Sequence, residues 1–308
     1  PHDVRIPVRP RSAPPRAAAL ARLRDALVRM GLRECCTAPF VGEGSGDIAL
    51  LDDAPALRVL NPMRADESLL RRSVLGPLLL VARGNQDRGV AAYRLFETAP
   101  VYLRAAADEP PREMLLAGAV VTGGYADVKG VLDRVTTALG LAERVTLERG
   151  APRPLALEES ATVRVDGELV GHVGRLHDAD RAAYGLEPGI AVIELRADLL
   201  ADRALLERPY RPISRFPAVE RDLAVVLDDH VTWHAVASCV REAAGELLTD
   251  LRPFDVYRGP QVGEGRKSLA LRMELRSAER TLTGDEVEAC VRAVVGALEE
   301  RLDGVLRA

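Results

Sequence analysis

Residues 215–308 carry, in order, a strand run, a helix run, two strand runs, a helix run and a short final strand, and this order constrains the chain more than any other feature. The first strand is expected over Asp222 to Leu227, a Val/Leu-rich run between Pro217 and Asp228-Asp229. From Thr232, residues Val236, Cys239, Val240, Ala243 and Leu247 recur at helical spacing and share one face. Leu251 to Tyr257 reads as the second strand, and the Gly/Pro-rich stretch from Arg258 to Arg266 as a loop. In Lys267 to Arg276 alternation is clean: Leu269, Leu271, Met273 and Leu275 face one way, and Ala270, Arg272, Glu274 and Arg276 the other. Thr283-Gly284-Asp285-Glu286 is a capping box, with Leu282 and Val287 as its staple. Val287, Val291, Val294, Leu298 and Leu302 form the buried stripe of the last helix, which Gly304 is expected to end before a strand at Val305-Leu306. Two such halves side by side give a four-stranded antiparallel sheet with both helices on one face.

The words of this stretch narrow it further. Arg215-Phe216-Pro217-Ala218-Val219 with Arg221-Asp222-Leu223-Ala224, then Phe254-Asp255-Val256-Tyr257-Arg258-Gly259, Lys267-Ser268-Leu269-Ala270 and Arg280-Thr281-Leu282-Thr283 resemble the ferredoxin-fold anticodon-binding domain. That domain closes the β subunit of bacterial phenylalanine-tRNA ligase.

At 308 residues and 47% hydrophobic content the chain has room for two cores. No apolar run approaches the roughly 20 residues that span a bilayer, and Pro1-His2-Asp3-Val4-Arg5 is neither a Met start nor a signal peptide, so the expectation is a cytoplasmic, C-terminal piece of a longer chain. Net charge is −4, which leaves any nucleic-acid role to a local patch. The four cysteines, Cys35, Cys36, Cys239 and Cys290, have no zinc-ligand spacing and read as reduced, buried thiols. His172 and His177 lack a third ligand, and structural hydrogen bonding is their expected role.

Pro7, Pro10, Pro14 and Pro15 make residues 1–15 an extended linker. Leu20, Leu23, Leu27 and Met30 lie on the apolar face of a helix that starts near Pro15 and stops at Gly31. The residues from Gly31 to Phe40 read as a strand, and Gly42-Glu43-Gly44-Ser45-Gly46 as a loop without the strand-to-helix context of a phosphate cradle. Later come a strand at Ala117 to Val121, a helix from Tyr125 to Gly140, and a hairpin about Asp166-Gly167.

Several phrases here resemble the same β subunit: Val59-Leu60-Asn61-Pro62-Met63, Leu70-Arg71-Arg72-Ser73-Val74 opening a helix from about Leu69 to Val81, Arg94-Leu95-Phe96-Glu97, Asp127-Val128-Lys129-Gly130 and Gly174-Arg175-Leu176-His177. The resemblance implies an α+β fold: a class II synthetase-like antiparallel sheet with flanking helices over 16–207, catalytically inactive, then a ferredoxin-like βαββαβ domain over 208–308. Around Pro152 to Ser160, and at Gly76-Pro77 and Ala99-Pro100, the sequence departs from the family's usual phrases. Arg94 and Glu97 only echo the Arg-x-Glu of a class II active site, which argues for a core without chemistry.

By the same resemblance, the chain partners a catalytic α subunit in a heterotetramer of two α and two β chains and binds tRNA(Phe). ATP and Mg2+ belong to the assembled enzyme, with no cofactor or metal in this chain. The candidate RNA surface is Phe254, Tyr257, Arg258, Arg266, Lys267, Arg272 and Arg276. Phe254 and Tyr257 are three apart and so fall on opposite faces of a regular strand, which lets one of them stack on a base; Arg272 and Arg276 could equally form cross-strand pairs. The candidate α-binding face is Leu20, Leu23, Leu27, Leu69, Leu70 and Val74, for which intramolecular core is the competing reading. A free-standing RNA-binding protein, or an amino-acid sensor of the same βαββαβ order, is the alternative; the sensor's usual glycine is missing from Asp228-Asp229-His230-Val231-Thr232.

Overall fold

The computed structural model describes residues 13–43, 48–52, 54–64, 67–105, 109–207 and 214–307. Most of the expected linker over 1–15, and Gly44-Ser45-Gly46, lie outside the described residues. The chain divides into two compact units, Pro1–Pro209 and Tyr210–Ala308.

The first unit contains α1 (Pro15–Arg29), β1 (Arg33–Glu34), β2 (Phe40–Val41), β3 (Leu69–Leu70), α2 (Leu75–Gln86), β4 (Arg94–Leu103), β5 (Arg112–Thr122), α3 (Tyr125–Ala138), β6 (Val145–Arg149), β7 (Leu155–Val165), β8 (Glu168–Leu176), α4 (Asp178–Ala183), β9 (Ile190–Arg196) and α5 (Ala197–Arg203). Seven strands form a sheet in the order β1-β4-β5-β9-β8-β7-β6, antiparallel except that β1 runs parallel to β4. Alternation along β5 sends Ala117, Ala119 and Val121 into one core with α1, α3 and α5, and Met114, Leu116 and Val120 into another with α2. Pro15 opens α1, where its missing N–H costs nothing, and Gly31 at φ +79 closes it. The Asp166-Gly167 hairpin takes positive φ at both residues, as a two-residue I′ turn requires.

Two local expectations fail here. Gly31 to Phe40 holds only the two-residue strand β1 and the start of β2, and the helix placed from Leu69 begins at Leu75. Leu69 and Leu70 are strand, paired with Val41 and Phe40. The helix start is set by Glu194 of β9, whose Oε1 accepts from Ser73 Oγ at 2.6 Å and from the Val74 amide at 2.9 Å, while Ser73 Oγ accepts from the Leu75 amide. Pro77 sits in the first turn, where it needs no donor. A side chain at Gly118 would meet Val74 Cγ2 at 2.4 Å, so glycine there lets the start of α2 lie close on the sheet.

The cysteines are free; Cys239 and Cys290 are buried as expected, whereas Cys35 is half-buried and Cys36 exposed in the irregular segment after β1.

The second unit contains β10 (Val219–Asp228), α6 (Trp233–Ala244), β11 (Leu248–Tyr257), β12 (Arg266–Leu275), α7 (Gly284–Leu302) and β13 (Val305–Leu306). Its antiparallel sheet has the order β11-β12-β10-β13, the ferredoxin-like arrangement. Leu223, Val225, Leu227, Leu269, Leu271, Met273 and Leu275 pack under both helices in one core, leaving the other sheet face open. The capping box forms: Thr283 Oγ1 accepts from the Glu286 amide and Glu286 accepts from the Thr283 amide at 2.9 Å. Gly304 does not end α7; Asp303 takes the left-handed conformation, φ 49. Gly304 is small for another reason, because a Cβ would lie 2.9 Å from Val225 Cγ1.

Candidate functional site

The open face of the second sheet is ordered by register. Arg272 on the inner strand β12 stands between Asp222 of β10 and Arg252 of β11. Its guanidinium holds Asp222 with both oxygens, at 2.6 and 2.7 Å, and reaches Glu220 at 3.4 Å. That fork keeps the Asp222 carboxyl below its usual range and raises Arg272 further. Arg252, absent from the candidates read in the sequence, lies 3.7 Å from Glu220. The cross-strand pairing considered for Arg272 is thus real, and it positions the side chain without burying it.

β11 is irregular between Pro253 and Asp255, and Phe254 is the residue left without a partner on β12. Such a bulge resets the alternation of the strand. Phe254 emerges on the open side, 55% exposed, with the Arg272 guanidinium carbon 5.6 Å from its ring centroid. Tyr257 pairs with Ser268, in the same alternate row of β12 as Arg272, and Arg307 stands 5.4 Å from its ring. The expectation that Phe254 and Tyr257 occupy opposite faces is therefore overturned, because it assumed a regular strand. Arg307, like Arg252, went unread; its place on this face depends on β13 pairing with β10, which spacing alone does not fix.

The remaining candidates separate. Lys267 is almost covered, and its Nζ donates to the carbonyls of Asp229 and Val231, each at 2.7 Å, with burial pushing its pKa down. It clamps the turn between β10 and α6 and is not on the open face. The same bonds occupy the turn where a sensor's ligand would sit. Arg266 donates to the carbonyl of Asp303 at 3.1 Å, and Arg258 pairs with Asp229 at 2.8 Å; both border a loop cavity of about 340 Å3. Arg276, just past the end of β12, bonds Glu274 at 3.1 Å.

In the first unit Leu23, Leu27 and Val74 are fully inside the two cores, because the stripes of α1 and of the turn before α2 face the sheet. They are corrected from partner contacts to core. Leu20 is half-buried on the same core, and Leu69 and Leu70 are half-buried in β3. Among the apolar side chains that face outward, Phe40 and Leu80 flank a cleft of about 560 Å3 with Val41, Pro77 and Val81.

The echo of a class II active site does not assemble. β4 is regular from Arg94 to Leu103, so Arg94 and Glu97 point to opposite faces. Glu97 is spent on Arg71, 3.0 Å away with both side chains nearly covered, and on Thr37 Oγ1 at 2.6 Å. These residues do not fit a nucleotide with its Mg2+, and among the described residues no acidic, His or Cys cluster could hold a metal. His172 is buried, 3.2 Å from Thr162 Oγ1, and burial lowers its pKa; His177 accepts from the Ala179 amide and caps α4.

Residues 4–197 match the family described as phenylalanyl tRNA synthetase beta chain CLM domain, and residues 214–307 match the ferredoxin-fold anticodon binding domain. The chain belongs to the phenylalanine-tRNA ligase β-subunit family. Among that family, the β subunit of Symbiobacterium thermophilum is 37% identical over 294 residues, 90% of this chain and 33% of that protein, and that of Moorella thermoacetica 36% identical over 92% of this chain and 37% of that protein. The chain thus spans roughly a third of the length of these phenylalanine-tRNA ligase β subunits. A pyrrolysyl-tRNA synthetase from Desulfitobacterium hafniense overlaps 60% of this chain and 67% of its own at TM-score 0.49 and 12% identity, from which nothing about function follows.

Proposed function

We propose that this chain is the β-subunit portion of a phenylalanine-tRNA ligase that scaffolds the catalytic α subunit and receives the anticodon region of tRNA(Phe) on the open face of its second unit. The observation that carries the reading is the bulge at Phe254, which puts an exposed ring beside Arg272 and in the same row as Tyr257 with Arg307. Exposed aromatics beside guanidiniums are what unpaired bases stack on. Arg252 and Arg307 add cationic reach toward phosphates, and Lys267 drops out of the RNA set.

The assembled enzyme is two α and two β chains in the cytoplasm, with ATP and Mg2+ used at α; the opposite facing of Arg94 and Glu97 along β4 supports this part of the reading. The cleft between Phe40 and Leu80 is the better candidate for the α-binding face than the buried leucines of α1.

The test is to mix this chain with the α subunit of the same source and measure mass on size-exclusion chromatography. A stable complex of two α and two of this chain supports the reading. Elution of this chain alone, folded and with no tRNA(Phe) binding, overturns it.

A further inference from the structure

Four guanidiniums border one cleft of the first unit: Arg22 and Arg29 from α1, Arg94 from the start of β4 and Arg134 from α3. Ala26, Met30 and Ala138 give it an apolar floor, and its volume is about 470 Å3. Asp25 is the one carboxylate in this lining, and Arg29 already holds it at 2.8 Å. Arg22 spends one nitrogen on the carbonyl of Leu206 at 3.0 Å. Arg94 and Arg134 have no hydrogen-bond or ion-pair partner among the described residues, and the Nε of Arg94 is buried with nothing to donate to.

Many arginines elsewhere in the unit are matched to acids, as in Arg24 with Glu34, Arg112 with Asp52, Arg153 with Asp180 and Arg196 with Asp198. Arg33, Arg104 and Arg149, which have no acid partner among the described residues, are each exposed and apart from this cleft; here the unpartnered guanidiniums converge. A buried donor without an acceptor costs free energy, and guanidiniums gathered without counter-charge repel one another. Folding alone gives no reason to gather them. A ligand with several anionic oxygens would.

We propose that this cleft binds a phosphate group of a nucleotide, either free or in an RNA backbone. A single carboxylate satisfies one planar fork, whereas a phosphate presents more oxygens and up to two charges, which suits several forks converging from different elements. The cleft lies in the size range of small-ligand sites and exceeds a lone phosphate, leaving the apolar floor for an attached sugar. The assignment stands apart from the RNA surface of the second unit and does not rest on it.

The experiment is calorimetric titration of the whole chain at low salt with inorganic phosphate, with AMP and with a single-stranded RNA, glutarate serving as the carboxylate control. The RNA arm is run in a Phe254→Ala, Tyr257→Ala, Arg252→Ala, Arg307→Ala background, which removes the aromatic and cationic contacts proposed for the open sheet face. Arg134→Ala and Arg22→Ala alter exposed side chains, and an unchanged melting temperature certifies their fold. Saturable binding of a phosphate probe, weakened about tenfold or more by each variant, is expected from the loss of one charge-assisted bond. Preference for AMP assigns a free nucleotide and preference for RNA assigns the backbone. The proposal is overturned if no phosphate probe saturates, if both variants bind as the parent does, or if glutarate binds as tightly as phosphate.

Discussion

Arg272 holds Asp222 through two hydrogen bonds while its guanidinium carbon lies 5.6 Å from the ring of Phe254. The carboxylate fixes the cation and the cation fixes the ring, so Phe254 is held in place on the open face. Phe254→Ala should weaken tRNA(Phe) binding by about 1–3 kcal/mol, the range for one stacked base. Fluorescence anisotropy with labelled tRNA(Phe) measures it, and an unchanged affinity would remove Phe254 from the interface.

Salt dependence separates the arginines from the lysine. Arg252→Ala with Arg307→Ala should flatten the slope of log affinity against log salt, since fewer neutralised phosphates release fewer counterions. Lys267→Ala should leave that slope alone and lower the melting temperature, because Asp229 and Val231 lose their clamp. The opposite pattern would return Lys267 to the RNA surface.

Glu194 gives the first unit a pH signature. Full burial pushes its carboxyl up to about 7 from 4.5, against the opposing hydrogen bonds of Ser73, Val74 and Leu75. Between those values the folded chain keeps a proton that the unfolded chain has lost, so stability falls as pH rises from about 4.5 to 7 and levels off above, by about 3 kcal/mol in all. His172, whose pKa is lowered by burial, acts in the opposite sense, adding stability as pH climbs toward its unfolded value of 6.5. The difference between parent and Glu194→Gln in urea titrations across that range isolates the carboxylate. Parallel curves would refute the assignment.

Breaking the buried pair has a different signature. Glu97→Ala leaves Arg71 charged and covered, and should cost about 3–5 kcal/mol, whereas the double change Arg71→Met, Glu97→Leu should recover most of it. Chemical denaturation of the three variants decides this. On the proposed reading, in which the chemistry lies at α, the double variant bound to α should still support aminoacylation.

Leu80→Asp places a charge on an exposed site and should leave folding intact while weakening association with α by at least tenfold. Sedimentation of the mixed subunits reports it, and full assembly would clear the Phe40–Leu80 cleft of that role.

The second unit was legible because its elements are locally encoded. Alternation over Leu269 to Leu275 and the Thr283–Glu286 box act within a few residues, and both the sheet order and the cap follow. What spacing could not reveal was the bulge at Phe254, which depends on how β11 meets β12. In the first unit the stripe Leu23-Leu27 was visible, but a stripe does not say whether core or partner covers it. The position of α2 escaped for a similar reason: its start depends on Glu194, more than a hundred residues away. One signal was available, since Glu194 interrupts an otherwise apolar run from Ile190 to Leu195.

The parallel pairing of β1 with β4 joins Arg33 to Leu95 and Glu34 to Phe96, across a long intervening segment. Closing such a loop costs chain entropy that local hairpins avoid. On the ribosome α1 and β1 leave the tunnel well before β4, and before the α3, β5 and β9 residues that Leu23 and Leu27 pack among. The first helix of the unit is therefore among the last to find its place. In the interval its apolar side is a site for chaperone capture or aggregation.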